Sequence, residues 1–409
     1  MKFTNNIERI LYLCGGRNFC SRKPSRKLAE VANCWRRAGH EVKHVCGGDL
    51  ACDPVYAGGR GTYVSQEAYT RWCRRFPSIT PPLVTSMSEW RDIRHDRRML
   101  EHLHNVAREW RPTVVWERSC RLHCAGLEIA KLLHVPYVLE WKDHLIDYRF
   151  SILRGRALRL EVRKNRDADY IVVESEVLRD KLANKGVNTQ KIIVAHNAVN
   201  PEEFCRDEEK RKRVRQEFGT DDDTVLVGYL GSYAFYHDAA RLVLAAKMIR
   251  RRNTAPTIKI LMVGVGKEYP RSRRIAEKLG LLDDILIMKP GVPKDEVPSI
   301  LAALDIAVLP DSTDIICPIK VQEYMACELP SVVPDYTCNR EVLREGETGV
   351  FFKPKDEAAL AEQIVLLAIN QKLRERIGRC AREDVIHRFS WEVTWGAALQ
   401  MVLDRQLTQ

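Results

Sequence analysis

Val225-Leu226-Val227-Gly228-Tyr229-Leu230-Gly231-Ser232 is an apolar, β-branched run that breaks off at a glycine and leads, through His237 and Asp238, into a helical stretch. That succession of strand, glycine turn and helix is how a buried strand of a parallel α/β sheet reads in sequence. Toward the C-terminus it recurs at Ile258 to Val263, Ile285 to Met288, Ile306 to Leu309, Ser331 to Val333 and Val350 to Phe352. Toward the N-terminus a second series runs through Ile10 to Leu13, Val42 to Val45, Val114 to Trp116, Tyr137 to Leu139, Tyr170 to Val173 and Ile192 to Ala195. Between the first two of these, Leu28, Val31, Ala32 and Trp35 keep the spacing of an amphipathic helix, with Gly39 as its C-terminal cap. The expected fold is α/β, with two doubly wound parallel-sheet domains facing across a cleft and ligands at the carboxyl ends of the strands.

A chain of 409 residues suits two domains, each large enough to bury its own core. The charged segment Asn200 to Asp223 reads as the surface connection between them. Cys46 to about Asp92 breaks the rhythm with Gly47, Gly48, Gly58, Gly59, Gly61 and Pro81-Pro82, and is expected to be a long irregular binding loop. No apolar run approaches the roughly 20 residues that cross a bilayer, and Asn, Glu and Arg stand where a signal peptide would be apolar, so a cytoplasmic protein is expected. The 13 cysteines are scattered and are expected to be reduced thiols. Cys120, His123 and Cys124 lack the second Cys/His pair of a zinc site, and a helix with small buried side chains is expected there.

The formal charge of +11 is compatible with nucleic acid, an anionic membrane face or phosphorylated substrates. Arg154, Arg156, Arg159, Arg163, Lys164 and Arg166 fall on a predicted helix, where a solvated face is expected ahead of a membrane-contact face.

The motif with most chemical content is Cys317-Pro318-Ile319-Lys320-Val321-Gln322-Glu323-Tyr324-Met325-Ala326, just after a strand end. Three apart on a helix, Lys320 and Glu323 share a face near its N-terminus, where backbone N–H groups and the helix dipole favour phosphate. A lysine for a diphosphate and a carboxylate for ribose hydroxyls fit one ligand, although a surface salt bridge uses the same spacing. Gly231 and Ser232 end the next candidate strand, with His237 opening the following helix. Gly264 and Gly266, and then Gly291-Val292-Pro293, repeat the strand-to-glycine step, and ordinary turns read the same way. Gly15 and Gly16 precede the basic stretch Arg17 to Lys27, a position from which backbone N–H groups reach an anion. Glu140-Trp141-Lys142-Asp143-His144 places four ionisable groups at one strand end, too many for packing alone, and Glu117-Arg118 ends the strand before it.

These ordered motifs resemble the retaining glycosyltransferases of family 4, which have the GT-B fold of two Rossmann-like domains. Similar to that family are Gly15-Gly16, Arg37 to Val42, Glu117-Arg118 followed by Pro136, Val173-Glu174-Ser175, Lys191-Ile192 and His196-Asn197-Ala198-Val199. The stretch from Gly228 to Trp391 resembles it most closely. The resemblance implies an N-terminal acceptor-binding domain over residues 1–205, a nucleotide-sugar-binding domain over 206–385 and a C-terminal helix, 386–409, crossing back to the first domain. It implies diphosphate contacts from Gly231, Ser232, His237 and Lys320 and a ribose contact from Glu323, with Gly264, Val292 and Val321 completing the donor side. Glu140, Lys142, Asp143 and His144 are the expected catalytic group, with Gly15, Gly16, Glu117 and Arg118 beside it.

Two departures stand out. The family's pair of glutamates eight residues apart is incomplete, because Ile315 holds the earlier position, and Ser232 and His237 replace its usual Arg and Lys. A subgroup with Pro-x-Lys-x-x-Glu-Tyr-Met-Ala is similar in both respects. Glu140-x-Lys142-Asp143 also resembles a Glu-x-Arg-Asp motif of bacterial surface-polysaccharide transferases.

The implied activity is transfer of a sugar from a nucleotide diphosphate sugar, a UDP-sugar ahead of a GDP-sugar, to a glycan, lipid-linked or small-molecule acceptor. Neither a cofactor nor a metal is expected, and peripheral contact with the inner membrane face is left open. The alternatives are a sugar-nucleotide epimerase or hydrolase on the same fold, or a basic non-catalytic membrane or nucleic-acid adaptor. Nucleic acid is not an expected partner, because interleaved basic and aromatic residues are scarce.

Overall fold

A computed structural model describes residues 7–17, 26–50, 80–142, 151–252 and 255–406. The chain divides into two compact units, the first made of the described residues up to Ala195 together with Trp395 to Gln406, the second of His196 to Thr394. The division falls ahead of the charged segment where the sequence suggests it. Each unit is built on one six-stranded sheet in which every strand pair is parallel.

In the first unit β1 (Arg9–Cys14), β2 (Glu41–Cys46), β3 (Val114–Arg118), β4 (Tyr137–Glu140), β5 (Tyr170–Val173) and β6 (Ile192–Val194) lie in the order β2-β1-β3-β4-β5-β6. The helix Arg26–Arg37 buries Leu28, Val31, Ala32 and Trp35, as its spacing predicts, and Gly39 ends it at φ +94°. Trp35 donates from its indole nitrogen to the carbonyl oxygen of Trp395, and its ring packs against Trp116 at 4.6 Å.

In the second unit β7 (Val225–Leu230), β8 (Ile258–Val263), β9 (Leu286–Lys289), β10 (Ile306–Val308), β11 (Ser331–Pro334) and β12 (Val350–Phe352) lie in the order β12-β11-β10-β7-β8-β9. The alternation of a strand is visible along β7: Val225, Val227 and Tyr229 join one core cluster, Leu226 and Leu230 the other. Gly228 is required between them, because a Cβ there would come within 2.2 Å of Leu304. The strand order reverses between β7 and β10, and ligands of doubly wound sheets bind beyond the carboxyl ends of the strands at such a point. In the first unit the equivalent point lies between β1 and β3.

Four local expectations are corrected. The supposed irregular loop ends early, because Thr80–Trp110 is one helix of 31 residues; Pro81 and Pro82 sit in its first turn, where a missing N–H costs nothing. The charged connection contains the helix Glu208–Glu217, capped by Asp207, and its Arg215 is buried against Asp305 at 3.1 Å. Cys120 to Cys124 form a turn rather than a helix; the helix starts at Ala125, and the Asp96 carboxylate accepts from the Cys124 and Ala125 N–H groups. On the basic helix Arg154–Asp167, Lys164 is buried, donating to the Ser119 hydroxyl at 3.2 Å and the Cys120 carbonyl at 3.1 Å. The described cysteines are free thiols. No helix among the described residues is long and apolar enough to cross a membrane.

Candidate active site

At the carboxyl ends of β7 and β10 the second unit assembles a buried cation. Lys320, on the helix Ile319–Ala326, is 9% exposed, and its ammonium lies 3.2 Å from Nε2 of His237 and 4.9 Å above the Tyr229 ring. Tyr324 ties that helix to β7, its hydroxyl lying 3.3 Å from both the N–H and the carbonyl oxygen of Leu230. Nδ1 of His237 meets the Asp311 carbonyl at 3.2 Å. A carbonyl only accepts, so Nδ1 carries the proton and Nε2 offers its lone pair to Lys320. Burial, then the Lys320 charge, lowers His237 to about 3, against the partial support of the Asp311 carbonyl. Burial lowers Lys320 to about 7, with Glu323 opposing it. Among the described residues no carboxylate lies within 4.0 Å of the Lys320 ammonium. With a ring face and a neutral imidazole beside it, the ammonium form is left for an incoming anion to stabilise.

The glycine turns make this possible by close packing. A Cβ on Gly231 would come within 2.5 Å of the Lys320 nitrogen, one on Gly264 within 1.8 Å of the Gly231 carbonyl oxygen, and one on Gly266 within 2.5 Å of the Tyr233 carbonyl oxygen. His237 does not open the long helix: it ends the short 3₁₀ turn Phe235–His237, and the helix begins at Ala240. Ser232 is exposed, and its carbonyl accepts from the Tyr229 hydroxyl at 2.7 Å. Val321 is wholly buried in the core, so only its backbone can face a ligand, while Val292 is half-buried beside Gly291. Glu323 is half-buried on the Lys320 helix. The sequence reading missed Tyr229, Asp311 and Tyr336; the Tyr336 hydroxyl donates to the Asp311 carboxylate at 3.0 Å and steadies the segment that holds His237.

In the first unit the strand-end charges form a second buried cluster. Arg118 donates to Glu140 at 2.8 Å, Tyr12 donates to the same carboxylate at 3.1 Å, and Lys142 meets Glu174 at 3.0 Å. Lys27, from the first turn of its helix, donates to Glu174, lies 3.8 Å from Glu140 and stands 4.1 Å over the Trp395 ring. Burial lowers Lys27 to about 8 although both glutamates oppose it. Burial alone would raise Glu174, but Lys142, Lys27 and Arg118 outweigh it and hold its carboxyl well below the usual range.

Glu140, Lys142 and Arg118 are thus brought together, whereas Glu117 is not among them. Successive strand residues face opposite ways, and Glu117 lies under the helix Ala125–Leu133, accepting from the Tyr137 hydroxyl, with burial raising its pKa. Gly15 packs on Gly47, where a Cβ would meet the Gly15 carbonyl at 2.2 Å, and the Gly16 N–H faces the Cys120 thiol. Asp143 and His144 lie outside the described residues. Lys27 and Glu174 are the additions here. Glu174 follows β5 directly, so the strand-end rule that selects Glu140 selects it too; nothing in the sequence marks Lys27 as buried.

Residues 24–198 match the family described as Glycosyl transferase 4-like domain, and residues 210–384 match Glycosyl transferases group 1. The chain belongs to the family 4 type of GT-B glycosyltransferase. EpsD of Bacillus subtilis, assigned to the glycosyltransferases, is 27% identical over 220 residues, 53% of this chain and 55% of its own. The chain therefore spans little more than half the length of that relative. The GDP-mannose-dependent alpha-(1-6)-phosphatidylinositol monomannoside mannosyltransferase of Mycolicibacterium smegmatis is 25% identical over 65% of this chain and 69% of that enzyme. The fold of this glycosyltransferase is shared with Anabaena HepE, solved in complex with UDP-glucose: TM-score 0.69 at 16% identity, over 97% of this chain and 100% of that one. Among the described residues of the glycosyltransferase no three His, Cys, Asp or Glu side chains are grouped to hold a metal.

Proposed function

We propose that the protein transfers a sugar from a nucleotide diphosphate sugar to an acceptor hydroxyl, with retention of anomeric configuration, in glycan, polysaccharide or glycosylated-metabolite biosynthesis. The observation that carries this is the Lys320 ammonium, buried at the β7–β10 reversal with no carboxylate partner among the described residues. As the bond from the sugar to the leaving phosphate breaks, negative charge grows on that phosphate. Lys320 and the N–H groups that open its helix would stabilise that charge, and no metal ion is invoked. The acceptor oxygen then bonds to the anomeric carbon on the same face, and its proton passes to the leaving phosphate. A UDP-sugar is favoured, supported by the UDP-glucose complex of HepE, with a GDP-sugar next, supported by the mannosyltransferase relative.

In the first unit we assign Lys142, 25% exposed, to substrate contact, and Glu140, closed in by Arg118 and Tyr12, to positioning. Asp143 and His144 remain proposed members of the catalytic group.

The reading is tested by incubating the protein with UDP-glucose, UDP-N-acetylglucosamine or GDP-mannose and a mixed extract of glycolipids and small metabolites, then measuring the anomeric proton coupling of the product. A new glycoside with the donor's configuration supports it. Inversion removes the retaining assignment, and free or epimerised sugar alone favours the hydrolase or epimerase.

A further inference from the structure

The basic helix Arg154–Asp167 divides its cations between two uses. Lys164 is buried on the Cys120 carbonyl, Arg163 pairs with Glu128 at 2.7 Å and Arg166 with Asp167 at 2.6 Å. Arg156 and Arg159 do none of this. With Arg97, from the helix Thr80–Trp110, they border a cavity of about 390 Å³ within the first unit, and among the described residues none of the three pairs with a carboxylate. Asp96 also lines the cavity, but both of its carboxylate oxygens accept from the Cys124 N–H, one of them from the Ala125 N–H as well. The rest of the lining is apolar Ile93, Leu100, Leu122 and Leu160 with Cys124 and the Glu128-paired Arg163. On the same basic helix Leu158 and Val162 are 41% and 67% exposed.

Three guanidinium groups around one hollow repel each other unless an anion joins them, and their planar forks match phosphate oxygens. The leucine and isoleucine part of the lining offers hydrocarbon the shelter from water that phosphate does not need. We propose that this cavity binds a phosphate-bearing amphiphile, with its phosphate on Arg97, Arg156 and Arg159 and its first apolar carbons on Ile93, Leu100, Leu122 and Leu160. The phosphate chemistry is shared by an anionic lipid head group and a soluble phosphate ester. The site uses no residue of the Lys320 centre, so the two assignments fail independently.

The test uses the full chain, sedimented with vesicles of phosphatidylglycerol or phosphatidylcholine and titrated with glycerol 3-phosphate. The site variant is R97Q/R156Q/R159Q; R250Q/R251Q/R252Q removes the same charge from the second unit. Wild type and control should sediment with phosphatidylglycerol but not phosphatidylcholine. The site variant should bind about a hundredfold more weakly, at about fivefold per arginine, with nucleotide binding unchanged in all three. Should the triple variant unfold, Arg156→Gln alone should still show about a fivefold loss. Binding of glycerol phosphate without vesicles overturns the amphiphile. No binding of either probe, or equal loss in both triple variants, overturns the site.

Discussion

The Lys320 ammonium stands 3.2 Å from Nε2 of His237, whose other ring nitrogen stands 3.2 Å from the Asp311 carbonyl. The chain Asp311, His237, Lys320 therefore runs in one direction: carbonyl, neutral imidazole, ammonium. Its free end is positive, and burial holds the lysine near the point of losing that charge.

A phosphate beside Lys320 favours the ammonium and raises its pKa, so binding should take up a proton. With Lys320 at about 7 in the free protein, nucleotide affinity should be greatest near and below that pH and fall as pH rises above it, by up to about tenfold per unit. Lys320→Arg, charged throughout, should flatten the profile. Titration calorimetry in two buffers of different ionisation enthalpy measures the uptake; a flat wild-type profile contradicts it.

The same shift has a stability consequence. The unfolded chain holds the Lys320 proton up to about 10.4 and the folded chain only to about 7, so between these values the unfolded state binds more protons. Lys320 should therefore make the second unit more stable as pH rises through that window. Lys320→Met should remove this slope from the pH dependence of urea unfolding.

Gly231→Ala and Gly264→Ala should part company. The alanine methyl at 231 meets the end of a flexible lysine, whereas at 264 it meets the Gly231 backbone oxygen. Both glycines hold positive φ, +158° and +155°, so any side chain strains the backbone there, at about 1–3 kcal/mol each; Gly231→Ala should in addition weaken nucleotide binding by displacing Lys320. Gly264→Ala adds the clash with the backbone and should cost about 1–3 kcal/mol more stability than Gly231→Ala. Equal melting temperatures for the two would refute the packing argument.

Glu174 accepts from Lys27 and meets Lys142 at 3.0 Å in a buried setting. Glu174→Gln leaves buried ammonium without its counter-charge, an expected loss of about 3–5 kcal/mol. Lys27→Met in the same chain should recover part of it. Differential scanning calorimetry of the single and double variants decides; additive losses would mean that the pair is not coupled.

The strands are legible in the sequence because most are buried on both faces and read as apolar runs, while the edge strand β2 carries Lys43 and His44 within its run; Tyr170 to Val173, Val225 to Leu230 and Ile258 to Val263 are found to the residue. The Lys320 helix is legible for a different reason, since Pro318 and the three-residue step from Lys320 to Glu323 follow a strand end. Tyr229 is hidden because, as a strand residue, its first duty is to the core, and its contact with Lys320 arises only when the helix Ile319–Ala326 folds back over β7. Lys27 is hidden because a lysine in a basic stretch reads as solvent-facing, while its burial depends on Glu174 and Trp395, far away in sequence. Glu117 misleads in the opposite sense: it stands at a strand end, but the two-residue period turns it away from Arg118 and under a helix.

The most direct measurement is calorimetric titration with UDP, GDP, ADP and TDP, with and without Mg²⁺, on wild type, Lys320→Ala and Lys142→Ala. The account predicts saturable, metal-independent binding of one nucleotide, weakened by about 2 kcal/mol, roughly thirtyfold, in Lys320→Ala and unchanged in Lys142→Ala. No binding to wild type, or equal affinity in Lys320→Ala, would contradict the assignment of the buried lysine to the donor phosphates.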